Sequence, residues 1–321
     1  MDQQRKLAVA IDDDSISMAW LSESNRLGPA EKWPIADYRT LTDALLAYEK
    51  KTGVRLFGAA CALGVLGATF GETILLSRGH WAISRAGLRS MFGCDAIVVN
   101  DVAARAWAAL GGMGTRLESL SPTAPGLSDF RRRGRWALTK VDAGVGLAVI
   151  DVDDGGMPRV LECEMGHCGF APVTDEDRAL CAALTARGHP LVTWEMVLTV
   201  NPDDPLWSAP GLPTTRSQRI MMLARLAGRY VGDTVLAHGA WTGAILTGAR
   251  FAEYLAGPAL TEFNAGFETK PKFARLIRGA TRWRLIGQDL TLSGCAVALD
   301  RNADVQPPGM TASAGAMPNP A

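Results

Sequence analysis

The sequence predicts an α/β protein built from two lobes, and three observations support this. The chain has 321 residues, which is more than one ordinary domain and enough for two lobes of roughly 100–200 residues each. Short apolar runs alternate with segments whose apolar residues recur at helical spacing. Two stretches, Leu7–Leu21 and Leu138–Val152, are each typical of a β-hairpin at the start of one half, which suggests a duplicated architecture.

The first part of the chain is predicted to contain four strands and two helices. Three aspartates separate the two strands of the first hairpin. Between Tyr38 and Lys51 the apolar residues recur at helical spacing, and Gly53 supplies the stop signal of that helix. The predicted strands are Leu7–Ile11, Ile16–Leu21, Phe57–Leu63 and Ala96–Val99, and the predicted helices are Tyr38–Lys51 and Val102–Leu110.

The second part begins with a connection over Gly111–Gly134, which is rich in Gly, Ser, Pro and Arg and lacks periodicity. A second series of hairpin strands follows from Trp136, with Asp153–Gly156 as a turn. Residues 302–321 are mostly small residues and proline without any period, which predicts a disordered tail. The other predicted elements are helices at Asp175–Arg187, Val192–Val200 and Ser217–Ala237 and a strand at Ala244–Thr247.

The composition argues against nucleic acid and against a membrane as partners. Lys and Arg together number 33, as do Asp and Glu, so no net charge favours an anionic polymer or surface. No stretch approaches the ~20 apolar residues that a membrane-spanning helix needs. The six cysteines lack the spacing of a disulfide framework and are typical of reduced thiols. A soluble cytoplasmic protein is therefore expected.

Six segments combine glycine, aromatic and polar residues in a characteristic order. The most specific, Glu164–Pro172, is similar to a Glu-Gly-Gly-His-x-x-Phe-Ala-Pro block, and Ile97–Asp101 is similar to a strand that ends in Asn-Asp. Both blocks, in this order, resemble the bacterial glucokinase family of the actin-like ATPase superfamily, and the resemblance covers about residues 6–300. The other segments that carry it are Gly79–Ser84, Trp194–Leu198, Ala227–Tyr230 and Ala244–Phe251.

The resemblance implies a two-lobed actin-like ATPase fold (ribonuclease H-like) with an inter-lobe cleft, where the sugar binds. In this layout residues 1–101 form a small α/β lobe, to which about residues 296–301 return. Residues 102–295 form a large α/β lobe, on which most of the ATP lies.

The resemblance also implies a set of sugar-binding residues. Asn100 and Asp101 are expected to bind the 4- and 6-hydroxyls of a hexose, with glucose as the first candidate. Glu164, His167 and Glu195 are expected to bind hydroxyls on the anomeric side. Asp101 is further expected to be the catalytic base that accepts the proton of the 6-hydroxyl.

The chemistry of these side chains agrees with that assignment. Each sugar hydroxyl both donates and accepts hydrogen bonds, so its partners are carboxylates, amides and imidazoles. A carboxylate at the end of a strand faces the crevice where α/β proteins bind ligands. Taken alone, Asn100 and Asp101 are equally well explained as the cap of the helix that follows.

The first phosphate loop departs from the family. Its Asp-x-Gly-Gly-Thr-Asn motif, whose glycines let backbone N–H groups approach phosphates, is replaced by Asp12, Asp13, Asp14 and Ser15 before Ile16. Asp12 is left as the candidate Mg²⁺ ligand, and Ser15 keeps a hydroxyl. A carboxylate about 4 Å from a phosphate charge costs about 1 kcal/mol in water and about 4 kcal/mol at an effective dielectric constant of 20.

The second phosphate loop departs as well. The family's Gly-x-Gly-Thr-Gly motif retains Gly144 and Gly146, but Val145 replaces the hydroxyl donor and Asp142 adds a carboxylate. The Gly-Gly pair under the adenosine is reduced to Gly248 and an alanine. All these departures concern the nucleotide, and none concerns the sugar.

Two functions remain open at this point. The first is an ATP- and Mg²⁺-dependent hexose kinase with unusual phosphate loops. The second is a sugar-binding sensor or regulatory relative without phosphoryl transfer, which needs no cofactor. A kinase for another sugar or phosphate donor is a third reading, and a homodimer is compatible with any of them.

Overall fold

The computed structural model describes residues 4–77, 79–112, 114–120, 130 and 132–303. The chain separates into two compact units, and each is described by itself. The first comprises the described residues of Met1–Val98 and Cys295–Ala321, and the second comprises those of Val99–Gly294.

The first unit is built on a five-stranded sheet. The hairpin strands β1 and β2 pair antiparallel, β3 continues this order, and β4 pairs parallel with the other side of β1. The sheet order is β3-β2-β1-β4-β7. The elements are β1 (Lys6–Ile11), β2 (Ser15–Trp20), β3 (Glu31–Pro34), α1 (Leu41–Thr52), β4 (Ala60–Val65), β5 (Thr73–Leu75), β6 (Ala82–Ser84), α2 (Arg85–Phe92) and β7 (Ile97–Asn100).

The second unit is built on a six-stranded sheet. The elements that follow β7 are α3 (Asp101–Gly111), β8 (Arg116–Ser119), β9 (Gly134–Val141), β10 (Val145–Val152), β11 (Pro158–Cys163), α4 (Asp175–Thr185), α5 (Trp194–Leu198), α6 (Arg216–His238), β12 (Gly243–Thr247), α7 (Arg250–Tyr254), α8 (Pro258–Glu268), α9 (Ala274–Gly279), β13 (Thr281–Ile286) and α10 (Leu290–Ala303). The last of these continues past Gly294 into the first unit. The sheet order is β11-β10-β9-β12-β13-β8.

The same strand order occurs at one edge of both sheets. In the second unit β9 and β10 form an antiparallel hairpin, β11 extends it, and β12 pairs parallel with β9. This repeats β1, β2, β3 and β4 of the first unit, strand for strand. The two hairpins predicted from the sequence are therefore confirmed, and with them the mixed α/β architecture.

Alternation along the strands explains why the second sheet is covered on both faces. Val141 and Leu147 belong to a core cluster together with α4, α5, α6 and α8, while Leu138 and Ile150 belong to a separate cluster together with α3. Successive side chains of a strand point to opposite faces, so one strand supplies both clusters. The first unit has its own core, which includes Trp81.

Several predicted boundaries shift for identifiable reasons. The first helix begins at Leu41 and not at Tyr38, because Thr40 forms a capping box with Asp43. It ends at Thr52, and Gly53 is its C-cap with a φ of 67°, as predicted.

The prediction of no regular structure over Gly111–Gly134 is wrong at β8, which pairs antiparallel with β13. This strand has four residues and lies at the edge of the sheet, so it carries little apolar periodicity. Strands β3, β5, β6 and β13 and helices α2, α7, α8, α9 and α10 were not predicted from periodicity. The predicted tail begins inside α10, which extends to Ala303, and its remainder lies outside the described residues.

Two general expectations can be compared with the described residues. None of the helices described there is both long and apolar enough to cross a membrane. All six cysteines are free thiols.

Candidate functional site

The junction between β7 and α3 holds the predicted Asn-Asp pair. The Asn100 side-chain oxygen accepts a hydrogen bond from the backbone N–H of Val102 at 2.8 Å, so Asn100 is the N-cap of α3. Its own backbone N–H donates to Glu162 Oε1 at 2.7 Å. The capping role considered from sequence is thus confirmed for Asn100, and the cap fixes where the next residue, Asp101, begins the helix.

Asp101 forms a buried ion pair that the sequence did not predict. Its Oδ2 accepts a hydrogen bond from Lys140 Nζ at 2.7 Å, and only 6% of the Asp101 side chain and 12% of the Lys140 side chain are exposed. Lys140 lies on β9, one residue before that strand ends. Charged groups so little exposed to water hold each other's positions strongly.

The charged contacts continue into the loop between β9 and β10. Asp142 Oδ2 lies 3.7 Å from Lys140 Nζ and 3.7 Å from Arg105 Nη2. The other oxygen of Asp142 accepts a hydrogen bond from the backbone N–H of Ala249. Arg105, Asp142, Lys140 and Asp101 thus form a row of four side chains in which positive and negative charges alternate.

Glu164 and His167 lie at the two ends of one short 3₁₀ turn. Glu164 Oε2 is 3.7 Å from His167 Nε2, and both side chains keep more than half of their surface exposed. Burial of its remaining surface raises the pKa of Glu164 against the opposing effect of His167, and the charges of Glu162, Asp101 and Glu195 raise it further. The predicted residues Asp101, Glu164 and Glu195 are therefore close enough to share one electrostatic environment.

Glu195 lies in the first turn of α5, which begins after its N-cap Thr193. Glu195 Oε2 accepts a hydrogen bond from the backbone N–H of Val145 at 3.1 Å. A Cβ atom at Gly144 would lie 3.2 Å from the same oxygen. Glu195 therefore joins the predicted sugar-binding set to the second phosphate loop, and one N–H group of that loop already has a protein partner.

The guanidinium of Arg229 supports the two segments that carry His167 and Glu195. It lies 5.0 Å from the ring centres of both Phe170 and Trp194. Its Nη2 donates to the Ala171 carbonyl at 2.8 Å and its Nη1 to Asp177 at 2.7 Å. One largely buried cation therefore contacts the residue before Glu195 and the segment just after His167.

Asp177 is the anionic partner in this support. Burial by itself would raise the pKa of Asp177, but hydrogen bonds from the N–H groups of Val173 and Thr174 and from Arg229 lower it. Arg225 Nη2 lies 3.7 Å from the other carboxylate oxygen. The Asp177 side chain is 1% exposed, so the pair is shielded from solvent.

In the first unit, the aspartates that replace the first phosphate loop form the tip of the β1–β2 hairpin. The backbone N–H of Asp12 donates to the Ser15 carbonyl at 2.8 Å, which closes the turn. Asp13 and Asp14 are exposed. Ser15 begins β2 and is 5% exposed, and its hydroxyl has no hydrogen-bond partner among the described residues.

Two glycines of the predicted nucleotide site, Gly146 of the second phosphate loop and Gly248 of the adenosine pair, are required by packing that the sequence did not reveal. A Cβ at Gly146 would lie 2.2 Å from Val102 Cγ2, so the close packing of α3 on β10 requires a glycine there. Gly248 has a φ of 108°, and a Cβ would lie 2.4 Å from the Val141 carbonyl oxygen. Both glycines are fixed by contacts within the protein, whatever ligand they meet.

Sequence reasoning missed Lys140, Arg105 and Glu162. The signal for Lys140 was present, because it is a charged residue within an otherwise apolar or uncharged end of a strand. Arg105 lies in the Ala-rich helix α3 and carried a comparable signal. Glu162 had none, since β11 is largely exposed and charged residues are ordinary on such a strand.

Comparison with known proteins agrees with these features. The model of the glucokinase family matches residues 15–200. A glucokinase of Xanthomonas oryzae pv. oryzae (strain MAFF 311018) is 25% identical over 333 residues, which cover 94% of this chain and 93% of that protein.

Two solved structures show the same fold at lower identity. A glucokinase from an Antarctic psychrotroph superposes with a TM-score of 0.74 at 19% identity, over 93% of this chain and 99% of that one. A ROK family glucokinase from Streptomyces griseus in complex with glucose and AMPPNP superposes with a TM-score of 0.51 at 16% identity, over 92% and 98%. The fold is therefore that of the actin-like ATPase kinases. Since the family model covers more than half of the sequence, this chain belongs to the glucokinase family.

Proposed function

We propose that this chain is a hexose kinase that transfers the γ-phosphate of ATP to the 6-hydroxyl of the sugar, with glucose as the first candidate. The observation that best supports it is the position of Asp101. Its carboxylate is almost fully buried where β7 passes into α3 and is fixed by Lys140. A base for a sugar hydroxyl needs this kind of fixed position.

In the proposed reaction Asp101 accepts the proton of the 6-hydroxyl while that oxygen attacks the γ-phosphorus. The bond from the γ-phosphorus to the leaving oxygen of ADP breaks, which gives the sugar 6-phosphate and ADP. Asp101 then releases its proton to solvent. The contribution of the protein to such a transfer is mainly orientation and charge stabilisation.

The other polar residues would orient the sugar. Asn100 would bind the 4-hydroxyl, and Glu164, His167 and Glu195 would bind hydroxyls near the anomeric carbon. The exposed Glu164–His167 pair leaves donor and acceptor atoms for such contacts. All five residues belong to the second unit.

The nucleotide would use Gly144, Val145 and Gly146 of the second loop together with Gly248 of the adenosine pair, and Mg²⁺ would supply a counter-charge for its phosphates. The described residues contain no group of three or more His, Cys, Asp or Glu side chains that could hold a metal ion. Mg²⁺ bound to a nucleotide commonly takes only one or two protein carboxylates. Asp12 is the candidate for that role.

The test compares wild type with Asp101→Asn in a coupled assay with glucose and Mg-ATP. The substitution should lower kcat by about 10²–10⁴-fold, the usual contribution of a general base, while calorimetry still detects glucose. Asp151→Asn is the matched control, because it removes the same charge at a distance from Asp101. Asp151 pairs with Arg135 at the end of the β9–β10 hairpin that is opposite to Lys140. Equal turnover in wild type and Asp101→Asn would exclude Asp101 as the base.

A second candidate function is sugar binding without phosphoryl transfer. Two contacts favour this candidate. Lys140 already pairs with Asp101, and the Asp142 carboxylate adds negative charge where phosphates are expected. This candidate predicts glucose binding by calorimetry with no turnover at saturating Mg-ATP. Turnover above that of Asp101→Asn would eliminate it.

A further inference from the structure

The Asp142 carboxylate engages a set of donors that suits an anion larger than itself. One oxygen accepts from the Ala249 N–H, and the other lies 3.7 Å from both Lys140 Nζ and Arg105 Nη2. Backbone N–H groups together with Lys and Arg are the usual ligands of phosphate oxygens. A carboxylate carries the same sign of charge and accepts from the same donors, but it has only two oxygens.

The donor set is only partly used. Arg105 Nε is buried and has no hydrogen-bond partner among the described residues, although the guanidinium faces Asp142 through Nη2. Only 17% of the Arg105 side chain is exposed, so water satisfies little of its capacity. A tetrahedral anion with three free oxygens could take the donors that Asp142 leaves unused.

Lys140 links this set to the proposed base. Its ammonium lies 2.7 Å from Asp101 and 3.7 Å from Asp142, so the shorter contact is with Asp101. An anion at the position of the Asp142 carboxylate would therefore contact the same Lys140 ammonium group that Asp101 contacts.

We propose that Lys140, Arg105 and the Ala249 N–H form a phosphate subsite that the Asp142 carboxylate occupies, and that the phosphate of a substrate binds there by displacing this carboxylate. The proposal rests on the proposed function for the identity of the phosphate as part of a nucleotide. It makes Asp142 an internal competitor of the nucleotide. Lys140 and Arg105 become residues that bind phosphate in this chain.

The test measures binding of tripolyphosphate, which carries the phosphates without adenosine, by calorimetry of the full chain. Asp142→Asn removes the charge and keeps an acceptor for Ala249, whereas Asp142→Ala removes the occupant. Affinity for tripolyphosphate should rise from wild type, the weakest binder, through Asp142→Asn to Asp142→Ala. The last should bind about tenfold more tightly than wild type, or more. Lys140→Met in the Asp142→Ala background should abolish that gain.

Asp151→Asn is the control for net charge, because it removes one carboxylate from an exposed pair with Arg135 on the same hairpin. Thermal unfolding of each variant establishes that it is folded, and glucose affinity establishes that the sugar side is intact. If Asp142→Asn and Asp142→Ala bind tripolyphosphate no more tightly than Asp151→Asn, the subsite proposal is wrong.

Turnover of the wild type separates this proposal from the proposed function. Tighter tripolyphosphate binding by Asp142→Ala, in a protein that never phosphorylates glucose, would support the subsite and reject the kinase. Robust turnover of the wild type, with unchanged tripolyphosphate binding in Asp142→Ala, would support the kinase and reject the subsite.

Discussion

Arg229 Nη1 lies 2.7 Å from the Asp177 carboxylate, in a position where the guanidinium also faces the rings of Phe170 and Trp194. The pair connects α6 to α4 beneath the two segments that carry the candidate sugar ligands. Arg282 offers a natural comparison in the same unit, since it pairs with Glu268 at 3.2 Å and lies 4.8 Å from the ring centre of Phe267.

Arg229→Lys should weaken glucose binding more than Arg282→Lys does. Lysine keeps the charge but loses both the second donor to Ala171 and the planar stacking on the two rings. We expect a loss in glucose affinity of about 1–3 kcal/mol, the cost of unmade buried hydrogen bonds, measured by calorimetry. Similar losses of thermal stability in both variants, with equal glucose affinities, would mean that Arg229 is only structural.

Glucose binding should weaken in acid, and the loss should begin at a higher pH than an ordinary exposed glutamate would give. The pKa of Glu164 is raised above its ordinary value of 4.5, so its carboxylate is protonated at a higher pH than an exposed glutamate. Protonation removes an acceptor for sugar hydroxyls, and affinity therefore declines as the pH falls through that raised value. Glu164→Gln should bind more weakly at neutral pH and show a flatter profile, and equal pH profiles for both proteins would contradict this role.

Tyr230→Phe should leave the protein as stable as wild type or stabilise it by about 1 kcal/mol. The Tyr230 hydroxyl is buried and has no hydrogen-bond partner among the described residues. Burial raises the pKa of Tyr230 well above its usual range, as expected where water is excluded. Urea unfolding would measure the change, and a loss above about 1 kcal/mol would reveal an ordered water as partner.

Gly146→Ala should destabilise the second unit by about 1–3 kcal/mol, the usual cost of overpacking. The new methyl would lie 2.2 Å from Val102 Cγ2, and neither backbone can move without disturbing α3 or β10. Val102→Ala in the same chain should recover part of the loss, so the double-mutant cycle should give a favourable coupling. Gly279→Ala is the control, because nothing lies within 4 Å of a Cβ there.

Much of the fold could be predicted because it depends on local signals. The hairpins are marked by short apolar runs separated by polar residues, and α1 ends just before Gly53, as a glycine stop signal predicts. Strands β8 and β13 could not be found in this way. Their pairing joins residues more than 150 positions apart, and neither end of that contact carries a strong periodic pattern.

The same distinction between local motifs and distant contacts applies to the candidate site. Asp101 and Glu164 could be proposed because each lies in a specific motif, whereas the Lys140–Asp101 contact joins residues 39 positions apart. Asp142 was recognised as an unexpected charge, but its partners Arg105 and Ala249 are supplied by other elements. Local sequence indicates which residues are unusual, and only the folded chain shows which of them neutralise one another.

The alternating row formed by Arg105, Asp142, Lys140 and Asp101 restricts how this loop can change. A chain that gained Asp142 without Lys140 would place two carboxylates near each other with too little counter-charge, and the reverse order would leave an excess cation in a poorly hydrated place. The two changes are not equivalent, because Lys140 also pairs with the buried Asp101 carboxylate at 2.7 Å. A redesign that restores glycine at position 142 should therefore keep Lys140, since its removal would leave Asp101 without that partner. The cation that loses a carboxylate in such a redesign is Arg105, and this is the side chain to exchange if the charge is to stay balanced.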